Sequence, residues 1–431
     1  MSSGWDRQSE VELKSGMESG PRVAVIGLFP PPGGECLREG SIATCVHQFL
    51  VHCPDDWRDH LLVLANEVEG HTGPSTELGV KIDRCWKRGK FSCFRDLIAA
   101  LDRHRPDVVH LYYEIFLFGG IPQAMLVPWM LWQIRRRGIP CLLTVSNLVP
   151  WAKLTFRYMR WTHTPPFPWL AKPFLRLFYG LVFRWVGPIT TFEGGAVETL
   201  VGDYRLERER VEVIPLGLEL RTRSDGRSEA RARLDLHEDR LVFLFFGYLT
   251  RYKGIRILLR AFRRHRERHP ESILLVGGGK PTRMEGRADY ERFWADLNRI
   301  AEEIGPDGVR MLGYVESGVT TDLFAAGDLL CMPYRVHMSS SGPLVTGASW
   351  GLPMMLSAAF ADIVGEDWPL VKAEEQEMVE FLDRFAESPA FRRDLAEHTE
   401  RWTGGRPGLR EVAERYVARY QAMWSAKPRK R

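Results

Sequence analysis

The sequence predicts an α/β protein built as two Rossmann-like parallel-sheet domains that face a central cleft. Three observations predict it. Short, near-continuous apolar runs recur along the chain, as strands buried on both faces require. Helical stretches separate these runs, which implies parallel strands joined by right-handed crossovers. The pattern then restarts after a charged stretch, and 431 residues exceed what one ordinary core holds.

In the first half the predicted strands are Arg22–Leu28, His60–Ala65, Asp107–Tyr112, Cys141–Val145 and Ile189–Phe192, with a short one at Glu212–Pro215. Helices are expected over Ser41–Val51 and near Phe94–Arg103 and Gln123–Arg137. The second half opens with Leu241–Gly247 and continues with strands at Ile273–Gly277, Val309–Gly313, Leu329–Pro333 and Pro353–Leu356. Helices fill Ile255–His269, Tyr290–Ile304, Thr321–Ala326 and Leu344–Trp350, and the last two cover Met378–Phe385 and Leu409–Trp424. The resulting division is a disordered tail at 1–20, a first domain at 21–215, a linker at 216–236, a second domain at 237–400, and a C-terminal helix with a basic tail at 401–431.

Composition narrows the function classes. The chain is 45% hydrophobic and 26% charged, values of a soluble globular protein. A formal net charge of +4 spread over this length does not make the concentrated basic stripe of a nucleic-acid binder. Only the tail Lys427-Pro428-Arg429-Lys430-Arg431 is densely basic, and it reads as a solvated terminus or a weak anchor to anionic surfaces. The seven cysteines contain no CxxC pair, which fits reduced thiols in a cytosol rather than a disulfide framework or a zinc site. The first twenty residues lack an apolar core, so no secretory signal is expected. The stretch Pro166–Val186 is interrupted by Lys172, Arg176 and Arg184 and does not qualify as a transmembrane helix. Two readings stand for it: a buried helix, or a segment lying in a membrane interface.

Ligands of open parallel sheets sit beyond the carboxyl ends of the strands, so the loops after strands hold the candidate site. After the first strand of the second half comes Gly247-Tyr248-Leu249-Thr250-Arg251-Tyr252-Lys253-Gly254. A lysine at a strand-to-helix turn reaches a phosphate oxygen, and the helix start adds N–H donors. The plainer alternative is a solvated basic helix start. Later, Ser341-Gly342-Pro343-Leu344 combines small residues, which let an anion approach the backbone, with a proline suited to the first helical turn. As a simple N-cap it is worth about 1 kcal/mol. Together the two helix starts suit the two phosphates of a nucleoside diphosphate.

Four stretches of the second half carry a resemblance: FFGYLTRYKG at 245–254, LGYVESG at 312–318, AAGDLLCMPYR at 325–335 and SSGPLVTGASWGLPMM at 340–355. In order and spacing they resemble the donor-binding domain of family 4 glycosyltransferases (glycosyl transferases group 1), which have the GT-B fold. The first half is similar to the family's acceptor domain in PPPGGE at 30–35, RPDVVHLYYEIFLFGG at 105–120, LLTVSNLVP at 142–150 and VEVIPLGLE at 211–219. The resemblance implies a retaining transfer of a hexose from a nucleoside diphosphate sugar to a glycan or lipid-linked acceptor. The leaving diphosphate helps to deprotonate the acceptor hydroxyl, and the protein stabilises that diphosphate and positions the partners.

On this reading Lys253 and Arg251 supply catalytic charge. The donor side comprises Gly33 and Gly34 of the first loop, then Gly247, Tyr248, Gly277, Ser317, Ser341, Gly342, Pro343, Leu344 and Thr346. Ser317 is expected near the nucleobase, and the Ser341–Leu344 backbone is expected to donate N–H groups. His110 is a third catalytic candidate at the end of a strand facing the cleft, with a hydrogen-bonded core histidine as the alternative. Glu114, Ser146, Asn147 and His163 form the acceptor side. No Asp-x-Asp motif is present, so no metal and no cofactor are implied, and the predicted partners are a nucleotide sugar and its acceptor.

Departures from the pattern leave a second reading. The positions where the family carries paired glutamates are Met338 and Thr346, its two histidines are replaced by Ser146 and Leu216, and Tyr248 stands where an arginine is usual. A non-catalytic relative serving as a binding or scaffold subunit is therefore the alternative to an active enzyme. An NAD-dependent enzyme is disfavoured, because FPPPGGE lacks the GxGxxG spacing. The expected location is cytoplasmic, with peripheral contact at the inner face of a membrane.

Overall fold

The computed structural model describes residues 20–34, 40–162, 167–221, 226–281, 284–337, 341–365 and 367–426. Eight strands make the first sheet: β1 (Val23–Gly27), β2 (Leu61–Asn66), β3 (Gly73–Glu77), β4 (Val80–Trp86), β5 (Val108–Tyr113), β6 (Cys141–Val145), β7 (Ile189–Thr191) and β8 (Val211–Val213). Their order is β3-β4-β2-β1-β5-β6-β7-β8, with every pairing parallel except β3 with β4. The central strand VAVIG is buried along its whole length, because helices cover both faces of the sheet and neither side tolerates a polar residue.

The second sheet holds β9 (Val242–Phe246), β10 (Ile273–Gly277), β11 (Val309–Gly313), β12 (Leu329–Met332) and β13 (Met354–Leu356). Its order is β11-β10-β9-β12-β13, all parallel. Both sheets are thus α/β in the way the apolar runs predicted. The β3–β4 hairpin is an addition. Lys81, Asp83 and Arg84 interrupt its apolar pattern, yet Val80, Ile82 and Trp86 turn inward, and the Trp86 indole donates to Leu64 O at 3.0 Å.

The chain passes between the domains twice, and the two passes touch. Leu218 N donates to Pro407 O at 3.0 Å, and Leu409 N donates to Leu218 O at 3.2 Å. A Cβ on Gly217 would come within 2.7 Å of Leu409 Cα, so the crossing requires glycine there. The predicted linker 216–236 contains the helix Arg227–Arg233. Its fully buried Arg231 pairs with Asp328 at 2.9 Å, which ties that helix to the second domain and narrows the connection. The final helix, Leu409–Ser425, returns to the first domain. Its Tyr416, Val417 and Tyr420 join the first core.

That return decides the fate of His110. The side chain is fully buried, with Nδ1 2.7 Å from the Tyr420 hydroxyl and Nε2 2.7 Å from Thr144 Oγ1. Burial lowers its pKa to about 3, which keeps it neutral. His110 is a satisfied core histidine and does not face the cleft, so its catalytic assignment is withdrawn.

In the second domain, loops after neighbouring strands interlock. Gly254 has φ of 74°, and a Cβ on it would collide with the Pro333 carbonyl oxygen. Arg335 N donates to Tyr252 O at 2.7 Å, and the Tyr252 and Tyr334 rings meet edge to face at 6.1 Å. One layer away, Gly247 N donates to Gly277 O at 2.8 Å, and a Cβ on Gly278 would collide with Gly247 O. The glycines of separate motifs let three strand-end loops close on one another.

Two predictions follow from this packing. Tyr420→Phe should strand His110 Nδ1 in the core and cost about 1–3 kcal/mol, measured as a lowered midpoint in scanning calorimetry with unchanged helix content. Gly254→Ala should destabilise more than Gly286→Ala in the same experiment. Gly286 has a similar φ of 73° in open space, so its substitution carries only the backbone cost of about 1–2 kcal/mol, whereas Gly254→Ala also displaces the Pro333 loop.

Candidate functional site

The loops at the carboxyl edge of the second sheet bring Lys253, Gly247 and Pro343 together. An ideal Cβ position on Gly247 lies 2.5 Å from Lys253 Nζ and 3.5 Å from Pro343 Cγ. Gly247 itself has φ of 112°, so only glycine both turns the chain there and leaves room for the ammonium. Lys253 is 8% exposed, and its Nζ lies 5.4 Å from the Tyr334 ring centroid. Among the described residues it has no carboxylate partner. Burial lowers its pKa to about 8, since a desolvated ammonium without a counter-ion is costly.

Arg251 is placed differently from the expectation. It donates to Asp289 O at 2.8 Å, and its guanidinium lies 5.0 Å from the Phe293 ring centroid. It therefore braces the start of the helix Ala288–Ile304. Its pKa is lowered first by burial, and the nearby charge of Arg160 adds to this. Arg160 belongs to the first domain, so cations from both domains meet here.

Arg335 makes the same point more directly. Its guanidinium lies 5.1 Å from the ring centroid of Trp161, on the first domain's helix Phe156–Trp161. Its Nε is buried without a hydrogen-bond partner among the described residues. Burial, followed by the charges of Arg157 and Arg256, lowers its pKa. Arg251, Arg335, Arg157 and Arg160 thus concentrate positive charge at the seam, which favours an anion there. Sequence reasoning did not select Arg335, Arg157 or Arg160. The Pro333-Tyr334-Arg335 motif marked the first, but nothing local marked the two from the other domain.

The helix Gly342–Ser349 begins beside Lys253, with Ser341 as its N-cap. Two of the expected backbone donors are unavailable. Pro343 has no N–H, and Leu344 N is hydrogen-bonded to Ser341 Oγ at 3.4 Å. Among the described residues this leaves the Ser341 and Gly342 N–H groups, the latter at the start of the helix, and the positive end of the helix dipole. Thr346 stands half-buried one turn further on. Residues 338–340 lie outside the described residues.

Other candidates separate into packing groups and edge groups. Gly277 serves packing rather than the donor: a Cβ there would come within 2.9 Å of Leu323 Cδ1 and 3.1 Å of Phe246 Cδ2. Ser146 is buried, and its hydroxyl donates to Tyr113 O at 3.2 Å, so β5 occupies it and it is not presented to an acceptor. Asn147 and Glu114 stand half-buried just beyond β6 and β5, and Tyr248 is half-buried just after Gly247. Ser317 is exposed as the first residue of the helix Ser317–Ala326. Gly33, with φ of 69°, and Gly34 form an exposed turn closed by Gly34 N to Pro31 O at 2.8 Å. Arg84, itself buried, holds that loop through Phe29 O at 3.2 Å, and Asn66 Oδ1 accepts from Phe29 N at 3.0 Å. His163 lies outside the described residues.

Two ion pairs tie the domains at the seam. Buried Glu193 meets Arg406 at 3.0 Å, and Lys153 meets Asp362 at 3.5 Å. A cavity of about 510 Å³ lined by Arg135, Pro188, Glu212 and Arg419 opens at the amino ends of β6 and β7, the wrong end of the sheet for a ligand of this fold. Among the described residues, one group has the composition of a metal site: His265, His269 and Asp383. His265 and His269 lie at and just beyond the far end of the helix Ile255–Arg266 from Lys253. His265 is already bonded to Asp383 Oδ1 at 2.6 Å and Ser272 Oγ at 3.1 Å.

Comparison with known proteins agrees with this architecture. Residues 40–217 match the family model described as "Glycosyl transferase 4-like domain", and residues 240–388 match "Glycosyl transferases group 1". The chain is 24% identical over 305 residues to the MMP alpha-(1->4)-mannosyltransferase of Mycolicibacterium hassiacum, covering 67% of each chain. It is 31% identical over 247 residues to the D-inositol 3-phosphate glycosyltransferase of Streptomyces avermitilis, covering 52% of this chain and 50% of that one. The match thus spans about two thirds of the first relative and half of the second. Sucrose-phosphate synthase from Thermosynechococcus elongatus superposes with a TM-score of 0.72 at 15% identity, over 94% of this chain and 99% of that one. Anabaena HepE in complex with UDP and glucose superposes with a TM-score of 0.67 at 15% identity, over 93% and 99%. The fold and the two domain models together place this chain in the GT-B glycosyltransferases of family 4.

Proposed function

We propose that the protein is a retaining hexosyltransferase that uses a nucleoside diphosphate sugar. The single observation that carries the proposal is Lys253. A nearly buried ammonium lies between a glycine turn and a helix start, with no carboxylate partner among the described residues. An anionic ligand supplies the missing counter-charge. Because HepE is described in complexes with UDP and UDP-glucose, uridine diphosphate sugars are the first donors to test.

In the reaction the bond from the sugar's anomeric carbon to the diphosphate oxygen breaks. The acceptor oxygen attacks from the same face, and its proton passes to a leaving phosphate oxygen. Lys253, the Gly342 N–H and the helix start beyond it stabilise the charge that grows on the diphosphate. Arg335, with Arg157 and Arg160 from the first domain, adds positive potential. The absence of carboxylates at Met338 and Thr346 is compatible with this division of labour, since the phosphate itself receives the proton. Glu114 and Asn147 remain the proposed acceptor-side contacts, and the acceptor is a glycan or a lipid-linked glycan.

Lys253→Ala should weaken binding of the matching nucleoside diphosphate by about 1–3 kcal/mol, measured by titration calorimetry after a thermal-shift screen has identified the base. Equal affinity of both proteins for every nucleotide tested excludes the proposed contact. Product formation by the purified protein separates a transferase from a scaffold subunit.

The pH dependence provides a second test. Binding an anion favours charged Lys253, so this part of the affinity is full below the free-state pKa of about 8 and falls as pH rises through it. The limiting fall is about tenfold per pH unit. Lys253→Arg remains charged throughout, so its affinity should vary less between pH 7 and 9.

A further inference from the structure

The longest stretch without an acidic residue coincides with the most apolar exposed surface. From Ile115 to Phe192 the sequence contains nine lysines and arginines and no aspartate or glutamate. Against a whole-chain charge of +4, the remainder is net negative. The stretch includes the helix Pro168–Arg184, which is amphipathic in an unusual sense. Its inner face carries buried Phe178, Tyr179, Val182 and Phe183, and Ala171 and Leu175 pack toward Tyr158 and Val336 beside the cleft.

Its outer face is apolar as well. Leu170, Leu177 and Leu181 are 60%, 68% and 40% exposed, and Trp169 at the helix start is 62% exposed. At three to four residues per turn the three leucines fall in one line. Exposed Arg176 and Arg184 share the outer side with that line and have no ion-pair partner among the described residues, while Lys172 is half-buried toward the inner side. The neighbouring helix Val127–Arg136 packs beside it, and the segment leading into that helix exposes Ile121 and Met125, with Trp129 on the helix itself. Phe156, 57% exposed, extends the apolar surface toward the cleft. No described helix is long and apolar enough to cross a membrane.

We propose that this face of the first domain docks on an anionic lipid bilayer, with Trp169, Leu170, Leu177 and Leu181 entering the interface and Arg176 and Arg184 meeting lipid phosphates. Leucines and a tryptophan bordered by basic side chains suit the headgroup boundary. A second copy is a poorer occupant. Two-fold pairing would bring the same unpaired cations against each other, with no carboxylate within the stretch to offset them. The helix lies beside the cleft, so a bilayer on this face lies near the acceptor side of the site. The docking does not depend on the nucleotide chemistry proposed above.

The test is flotation of the full chain, without nucleotide, on vesicles of phosphatidylcholine alone and on vesicles with about one third phosphatidylglycerol. The protein should float with the anionic vesicles and be released by high salt. The double variant Leu170→Glu/Leu177→Glu should lower the bound fraction by about tenfold or more while keeping the wild-type melting temperature. Leu220→Glu, at a leucine 71% exposed elsewhere, and removal of residues 427–431 should both leave binding intact. Absence of flotation, or flotation unaffected by the double variant, overturns the proposal. So does a halved solution mass of the double variant, which would assign the face to a second copy. Loss of binding on removing 427–431 alone would assign the attraction to the tail and also overturns it.

Discussion

The tightest approach of one backbone to another at a glycine of the second domain is that of Gly254 to the Pro333 carbonyl. No side chain fits there, and the backbone must adopt a left-handed conformation at the same residue. Because the loop after β9 rests on the loop after β12, Lys253 is carried under the Tyr334 ring and up to the Gly247 turn. Two further glycines finish the arrangement, one making room for the ammonium and one letting Gly247 lie against the β10 loop. The lysine is held by backbone geometry, so its charge stays poorly solvated until an anion arrives. A group held in this way meets developing charge without first having to be reorganised.

Much of the fold was legible because buried parallel strands have little freedom. A strand covered on both sides reads as an unbroken apolar run, and the stretches VAVIG and VFLFF cannot be mistaken for surface. The β3–β4 hairpin was not legible for the converse reason. It holds exposed Lys81 beside buried Asp83 and Arg84, which pair with Arg103 and Glu77, so its apolar residues never form a run. The helix Arg227–Arg233 was hidden by its charges, since a buried arginine paired with Asp328 looks like linker sequence until its partner is known.

The site divides along the same line. Lys253, Gly247 and Gly254 could be read from the sequence because their roles are set within a few residues, by a strand end and a helix start. His110 could not, because the group that seals it comes from the last helix of the chain. The loss of Leu344 as a donor follows from the N-cap role of Ser341, which the motif offered as an alternative without deciding between it and an anion site. Arg157 and Arg160 approach from the opposite domain, and only the docking of two cores reveals that they share a seam with Arg335. Local chemistry was visible, and chemistry assembled across domains was not.

The return of the helix Leu409–Ser425 to the first core also bears on biosynthesis. As the ribosome extends the chain, the amino-terminal domain emerges first but lacks Tyr416 and Tyr420, so a groove along its sheet remains uncovered. The domain encoded second has all its strands before that helix is made and is free to consolidate earlier. Completion of the amino-terminal core therefore waits for Leu409–Ser425, and a nascent chain stalled before that helix leaves the groove open.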